Sequence, residues 1–211
     1  MSRPTRVWVA LAVFYAVFFF WYTPCGGPLS DEEIARFKTL LTAHGGAPER
    51  LPVWVGFMES DTGNDFVMLN AIELRDTPTP GPGIAPGESS EEVLGRYTSP
   101  FLGRALQSAS HPILMGRAAA PAIDLWGIEG AHSWTNGGLV RYRSRRDLMN
   151  QVVAIAAAGD SGIHDFKIAA IEKTIAYPLD PWFHLGDPRL VLGLLVLVFG
   201  SSFQAFHRRD G

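Results

Sequence analysis

The sequence predicts an α+β fold in which one soluble domain lies between two terminal membrane helices. Two long apolar runs lie near the ends of the chain, at residues 7–22 and 190–206. Between them, short strand-like runs alternate with amphipathic segments that begin at helix-capping residues. A chain of 211 residues has room for one domain of ordinary size beside two membrane spans.

The first apolar run predicts a membrane helix over residues 7–23, because residues 7–22 contain neither a charge nor a helix breaker. A helix of this length rises roughly 24 Å, slightly less than a hydrocarbon core of about 30 Å. Arg6 and the pair Trp21-Tyr22 can extend it into the interface. A cleaved signal peptide is the alternative, but the residues after the run offer no small-x-small cleavage site.

The second run predicts a membrane helix over residues 189–206. It is aliphatic up to Phe199, whereas residues 201–204 are more polar. A buried core helix is the alternative reading of this run. The basic sequence at residues 207–209 (HRR) favours a membrane anchor, because such residues flank membrane helices.

Short basic tails set the expected orientation. Arg3 and Arg6 precede the first helix, and two further arginines follow the second. Because lysine and arginine near a span favour the cytoplasm, we expect residues 1–6 and 207–211 to be cytoplasmic tails. The middle of the chain would then lie on the periplasmic side of a bacterial inner membrane.

Residues 24–64 predict a linker, an amphipathic helix and a short strand. Ser30 and Glu33 form an S-x-x-E capping box that starts a helix running through Ala43. Residues 53–58 (VWVGFM) are apolar and partly β-branched, so this run predicts a strand.

Residues 65–181 predict the main domain. Its first strand is at 66–74 (FVMLNAIEL), and a loop rich in proline and glycine follows at 77–87. Ser89 caps a helix running to Ser108, which Pro100 must break or kink. The remaining predicted elements are extended runs at 112–117 and 122–128, a strand at 139–143, a helix capped by Ser144 and ended at 159–162, an amphipathic segment at 164–173 and a strand at 174–177. From residue 66 onward the order is β-α-β-β-α-β, the ferredoxin-like arrangement.

The strand at 66–74 is apolar on both faces. One face carries Phe66, Met68, Asn70, Ile72 and Leu74, and the other carries Val67, Leu69 and Ala71. Helices cover only one face of a four-stranded ferredoxin-like sheet, so the other face needs a second layer. We therefore expect a homodimer that pairs sheet to sheet.

Four stretches resemble an uncharacterised branch, a domain of unknown function, of the dimeric α/β-barrel superfamily. They are FVMLNAIEL, HPILMGRA, GGLVRYRSRRDLM and HDFKIAAIEKTIAYPLDP, and the similarity covers about residues 65–181. The resemblance implies a ferredoxin-like protomer and a dimer whose sheets form a barrel. Other branches include haem-degrading and quinone-forming monooxygenases, chlorite dismutases and lactone isomerases, but none of their catalytic residues maps onto this sequence.

Composition excludes several classes of partner and site. The formal net charge is −3 and the basic residues are scattered apart from the run 141–146, so we expect no nucleic acid partner. A single cysteine, Cys25, allows neither an internal disulfide nor a zinc site built from thiols. There is no phosphate-binding loop and no H-E-x-x-H motif, so we predict no metal and can name no cofactor.

Polar residues on the predicted strands are candidate ligand contacts. Asn70 interrupts an apolar strand face, so its amide must bond internally or point at a bound molecule. Arg141 and Arg143 share one face of their strand, and with Arg117 they form a candidate site for an anionic ligand. The alternatives are a dimer interface or ion pairs, for which the candidate acids are Glu73, Asp124 and Glu129.

A second candidate site is the segment before the strand at 139–143. His132 lies between Trp126 and Trp134 in the sequence, close to Glu129. A histidine flanked by indoles is a candidate axial haem ligand or general base, and a packed turn is the alternative.

Two functions therefore compete. The first is a membrane-tethered, dimeric accessory or ligand-binding module beside a larger membrane complex. The second is a haem-dependent or cofactor-free oxygenase or isomerase that uses a pocket near Asn70, His132 and Arg141.

Overall fold

A computed structural model describes residues 2–43, 48–157 and 161–209. The chain divides into two compact units, which are Met1–Cys25 with Pro181–Gly211, here called the helical hairpin, and Gly26–Asp180, here called the middle domain. The helices are α1 (Arg3–Tyr22), α2 (Asp31–Ala43), α3 (Leu51–Glu59), α4 (Ser90–Gln107), α5 (Arg145–Ala157), α6 (Ser161–Ala170) and α7 (Pro188–Arg209), with a short 3-10 helix at Pro48–Arg50. The strands are β1 (Phe66–Leu74), β2 (His111–Arg117), β3 (Asn136–Tyr142) and β4 (Ile171–Leu179).

The helical hairpin consists of α1 and α7 packed antiparallel. Trp8 Nε1 donates to Gln204 Oε1 at 3.0 Å, and Tyr15 Oη donates to the Arg189 carbonyl oxygen at 3.0 Å. Both helices are long and apolar enough to cross a membrane, and only 6% of the apolar window of each is buried. A core helix of a soluble protein would be mostly buried, so the exposure of both helices is compatible with membrane anchoring.

The middle domain is built on one four-stranded antiparallel sheet. The strand order is β2-β3-β1-β4, and β1 pairs with both β3 and β4. From β1 onward the chain order is β-α-β-β-α-α-β among the described residues. The predicted α+β class is confirmed at this level.

The core lies between one face of the sheet and the helices. Phe66, Val140 and Tyr142 from the strands and Leu148 from α5 form one buried cluster. The rings of Phe66 and Tyr142 stack with their centroids 5.2 Å apart. The sequence predicted β1 correctly as a strand with one face in the core.

Residues 24–64 contain the predicted amphipathic helix, α2, and both α2 and α3 belong to the core of the middle domain. Phe37 and Leu41 of α2 pack with Met58 of α3 and Met149 of α5. The predicted strand at 53–58 is wrong, since these residues lie in α3. The run is apolar on every side, so it carries no polar position from which a period of 3.6 can be distinguished from a period of 2.

Two further expectations for the main domain are corrected. The run at 122–128 is part of a loop, in which Gly127 has a φ of 67°; the same loop contains Gly130, with a φ of 71°. α4 does not break at Pro100, because Val93 before the proline and Ala105 after it are both fully buried and hold the helix against the domain. The predicted helix end at 159–162 lies partly outside the described residues.

Candidate functional site

The face of the sheet opposite the core carries a continuous apolar row. Residues that pair across neighbouring strands have side chains on the same face. Leu139 pairs with Leu114 on one side and with Leu69 on the other, and Leu69 pairs in turn with Tyr177. We call this surface the open face, and its large apolar members that are exposed or half-buried are Leu69, Leu114, Leu139, Ile175, Tyr177 and Leu179.

The open face is both apolar and accessible. Leu114 is 61% exposed and Tyr177 is 43% exposed, whereas Leu69 and Leu139 on the central strands are half-buried. The next row consists of Gly116, Gly137, Ala71 and Ile175, so large side chains are few there. An exposed apolar surface shared by neighbouring strands is typical of an interaction site.

Arg141, a predicted ligand contact, is a buried ion-pair residue. Its side chain is 2% exposed, its Nε and Nη2 lie 2.9 Å from Asp65 Oδ2, and its Nη1 donates to the Ala109 carbonyl oxygen at 2.8 Å. Ala109 has a φ of 54°, a conformation that costs an alanine roughly 1 kcal/mol. Arg141 therefore stabilises the strained turn between α4 and β2 through this hydrogen bond.

Arg143 and Arg117 are also paired with acids, but at different places. Arg143 forms a bidentate pair with Asp147, with Nε and Nη2 at 2.8 and 2.7 Å from the two carboxylate oxygens. Arg117 Nη2 lies 2.7 Å from Glu91 Oε1 on the surface. Arg117 pairs with Asn136, five residues along β3 from Arg141, which is about 17 Å away. The three arginines do not form the single anion site that their sequence pattern suggested.

Two arginines that were not predicted as ligand contacts also form ion pairs with acids. Arg145 is buried and lies 3.7 Å from Asp61 and 3.5 Å from Asp180. Arg146 binds Glu33 at 2.6 Å and donates to the Gly27 carbonyl oxygen at 3.2 Å. Only the run of basic residues at 141–146 could have signalled this cluster, because the acids come from distant segments.

Asn70 lies on the core side of β1, away from the open face. Its Nδ2 donates to the Met68 carbonyl oxygen at 3.1 Å. Its partners across the sheet are Gly138 and Ala176, whose small size leaves room around the amide. The amide is thus bonded internally, which was one of the two options for this position.

Trp126 and His132 lie in the long loop between β2 and β3. His132 is exposed, and its carbonyl oxygen accepts from Ala122 N at 2.8 Å. Trp126 is 84% exposed and its indole donates to Asp124. The indole and the imidazole therefore do not enclose a buried pocket.

The tip of this loop is apolar and exposed, while its base is fixed. Ile123, three residues before Trp126 in the sequence, is 99% exposed. At the base, Lys173 of β4 donates to the Gly130 carbonyl oxygen, and its ammonium lies 5.2 Å from the centre of the Trp134 ring. We call residues 123–128 the loop tip; it presents apolar side chains on a fixed base.

A cleft of about 580 Å³ lies where β1 ends, lined by residues 73–80 and Glu172. Within the described part of the chain, Glu73 Oε2 and Arg75 Nε are buried without a hydrogen-bond partner. None of the predicted ligand contacts lines this cleft.

A group of titratable side chains lies between α4 and α6. Burial raises the pKa of Tyr97 to about 12, and its ring carries the Lys167 ammonium at 5.3 Å from the ring centre. Burial, together with the charge of Arg50, lowers the pKa of Lys167. Burial and Lys167 lower the pKa of His164. Among the described residues, no set of three or more histidine, cysteine, aspartate or glutamate side chains is placed to hold a metal ion.

Comparison with known proteins identifies no family. No protein-family model matches the chain, and no curated protein matches it. Among solved structures it is similar to a protein of unknown function from Rhodopseudomonas palustris and to the methylated form of that protein. Both are 19% identical with a TM-score of 0.48, over 63% and 64% of this chain and 94% and 93% of theirs. A likeness of this size supports no argument about function.

Proposed function

We propose that this chain is a membrane-anchored interaction module that forms a homodimer through its open face. The observation that carries the proposal is the apolar row that runs from Leu114 through Leu139 and Leu69 to Tyr177. A single chain leaves the edge members of this row exposed to water. A second copy would cover the row with the same surface, as a two-fold interface requires.

The sheet topology supports the same proposal. The order β4-β1-β3-β2, with helices connecting β1 to β2 and β3 to β4, fits a ferredoxin-like βαββαβ protomer with α6 as an addition. Two such protomers facing each other through their sheets would form a dimeric α/β barrel. In that arrangement the open face becomes the interior of the barrel.

The loop tip is the second contact surface of the proposed module. Ile123 and Trp126 are too exposed to stabilise the middle domain itself. Aromatic side chains are enriched where proteins bind one another. We assign this tip to a partner protein in a larger membrane complex, which gives the module its accessory role.

The hairpin supports the proposed location. Antiparallel packing of α1 and α7 puts the two chain ends at the same end of the hairpin. Arginines flank both ends in the sequence, and this distribution is typical of the cytoplasmic side. We propose a bacterial inner membrane with the middle domain in the periplasm.

The enzyme alternative receives no comparable support. Asn70 is on the core side of β1, Arg141 is buried in an ion pair at the other end of β3 from the loop, and His132 is exposed in that loop. The three residues needed for that pocket lie at three separate places. The interaction module is therefore the function that the geometry favours.

The dimer is tested by placing a charge on the open face. Leu114→Lys puts an ammonium group at an exposed edge of the apolar row, so it should separate the protomers without disturbing their cores. The matched control is Leu106→Lys, because Leu106 is similarly exposed (53%) but lies on α4. The mass of the detergent-solubilised chain is measured by light scattering after gel filtration.

We expect a dimer for the wild type and for Leu106→Lys, and a monomer for Leu114→Lys. A monomeric wild type would contradict the proposal. So would a Leu114→Lys variant that keeps the mass of the control.

A further inference from the structure

The segment that leads into α7 exposes three large apolar side chains within four residues. Trp182 is 97% exposed, Phe183 is 70% exposed and Leu185 is 75% exposed. The rings of Trp182 and Phe183 lie with their centroids 6.4 Å apart. Single exposed apolar residues are ordinary, but a contiguous group marks a contact surface.

This segment lies close to one end of the hairpin. A chain spans at most about 3.5 Å per residue, so Leu185 is within about 11 Å and Trp182 within about 21 Å of Pro188, where α7 begins. The last residue of α1, Tyr22, is at the same end, since the Arg189 guanidinium lies 5.5 Å from the centre of its ring. The group therefore lies near the level at which both helices change from apolar span to connecting chain.

Aromatic residues already concentrate at this level. Trp21 precedes Tyr22 at the end of α1 and is 46% exposed. Tryptophan and tyrosine are enriched at membrane interfaces, where an apolar ring with a polar edge is stable. Trp182 and Phe183 extend this aromatic group beyond the helix itself.

The charges of the segment do not oppose contact with lipid. Its acid, Asp187, is bound by Arg189, whose Nε lies 3.0 Å from both carboxylate oxygens and whose backbone N donates to Oδ1 at 2.8 Å. The other titratable group of the segment is His184. A segment with a neutralised acid and three apolar side chains can enter the headgroup region without a buried unpaired charge.

We infer that Trp182, Phe183 and Leu185 form an interfacial anchor, which inserts into the boundary between headgroups and acyl chains at the leaflet where α1 ends and α7 begins. The partner is the lipid surface itself. The inference rests on the proposed membrane anchoring of the hairpin. It adds that the chain before α7 lies along the membrane surface instead of extending through water.

The test measures the depth of nitroxide labels on the full chain in vesicles of phosphatidylcholine and phosphatidylglycerol. Cys25 is the single cysteine, so Cys25→Ser gives a background in which one label at a time is introduced. Phe183→Cys probes the anchor. Leu194→Cys on α7 is the lipid control and Val53→Cys on α3 is the water control, because both side chains are exposed.

Collisions with oxygen, which partitions into lipid, and with a polar nickel chelate, which stays in water, report the depth of each label. We expect the label at 183 to be shielded from nickel at least fivefold relative to the label at 53. A label at 183 as accessible to nickel as the label at 53, with 194 shielded, overturns the anchor alone. If the label at 194 is also accessible to nickel, the hairpin is not in the bilayer, and the proposed membrane anchoring is overturned together with this inference.

Discussion

Buried arginines join segments of the middle domain that are far apart in the sequence. Arg145 Nη1 donates to Ser60 Oγ at 2.7 Å, and the guanidinium lies 4.7 Å from the centre of the Phe57 ring. It also faces Asp61, whose side chain is 2% exposed. Because the aspartate is buried with it, removal of the arginine would leave a carboxylate without its counter-ion.

We therefore expect Arg145→Ala to destabilise the protein by about 3–5 kcal/mol, the usual cost of breaking a buried ion pair. Arg117→Ala is the matched control, because it breaks the exposed pair with Glu91 and should cost within about 1 kcal/mol. Thermal unfolding of the full chain in detergent measures both variants. Equal losses of stability would mean that Arg145 does not act as a buried counter-ion.

The lowered pKa of Glu33 predicts part of the loss of folding stability at acidic pH. Its hydrogen bond from Arg146, helped by the Ser30 backbone N–H, lowers its pKa from 4.5 to about 2. A carboxylate with a lowered pKa stabilises the fold fully above the unfolded-state pKa and progressively less as the pH falls towards the folded-state pKa. Stability should thus decrease between about pH 4.5 and pH 2.

In the Glu33→Gln variant, stability should fall less between these pH values, because the variant has no carboxylate at this position to be protonated. Glu32→Gln is the control, because it removes a neighbouring exposed carboxylate and leaves the contact with Arg146 in place. The measurement is the unfolding temperature as a function of pH. A Glu33→Gln profile that matches wild type in slope and height would contradict the assignment.

At the scale of elements, two glycines allow α7 to approach α1 closely. A Cβ added to Gly200 would lie 2.5 Å from Trp8 Cη2, and a Cβ added to Gly193 would lie 3.3 Å from Tyr15 Oη. The two glycines are seven residues apart, as are the two aromatic residues that face them. Small residues at such a contact allow helices to pack tightly in lipid.

Gly200→Leu should separate the two helices, since the indole of Trp8 occupies the space that the new side chain needs. Energy transfer between dyes on the two chain ends measures the packing, because the antiparallel arrangement brings those ends together. We expect transfer to fall by at least half. Val198→Leu, at a position that is 64% exposed, should leave it unchanged, and equal behaviour of the two variants would argue against the contact.

The elements that the sequence predicted well are those with local signals. The capping boxes at Ser30 and Ser89 start helices as expected, and the apolar set of β1 marks a strand. α3 was missed because its apolar run of six residues, 53–58, is ambiguous between helix and strand. The pairing of Trp8 with Gln204 joins residues 196 positions apart, and no local pattern reports such a contact.

The candidate site was harder to predict than the fold. Arg141 and Arg143 were identified as unusual, but the acid of Arg141 is 76 residues away and is set by the tertiary fold, whereas Asp147, the acid of Arg143, is only four residues away. The apolar residues on the second face of β1 predicted a second apolar sheet face, and the structure leaves members of that face exposed. That signal was available because alternation along a strand directly reports which side chains share a face.

At the scale of the whole molecule, the two terminal helices predict one topology. A reporter that is active only in the cytoplasm should give signal when fused to either end of the chain, and an alkaline phosphatase fusion at the same sites should be inactive. A silent C-terminal fusion would reverse the orientation. An intact chain that remains in the supernatant after cell lysis without detergent would contradict membrane anchoring altogether.

The antiparallel contact between α1 and α7 also has a consequence for biosynthesis. Because the ribosome makes the N-terminus first, α1 is complete while the residues that bind Trp8 and Tyr15 are still untranslated. Under the proposed membrane anchoring, the indole N–H and the phenol O–H would lack these acceptors during that interval, and an unpaired polar group costs free energy in lipid. A translation product that stops before Arg189 would lack both acceptors, so under this proposal the hairpin is complete only once its last helix has been made.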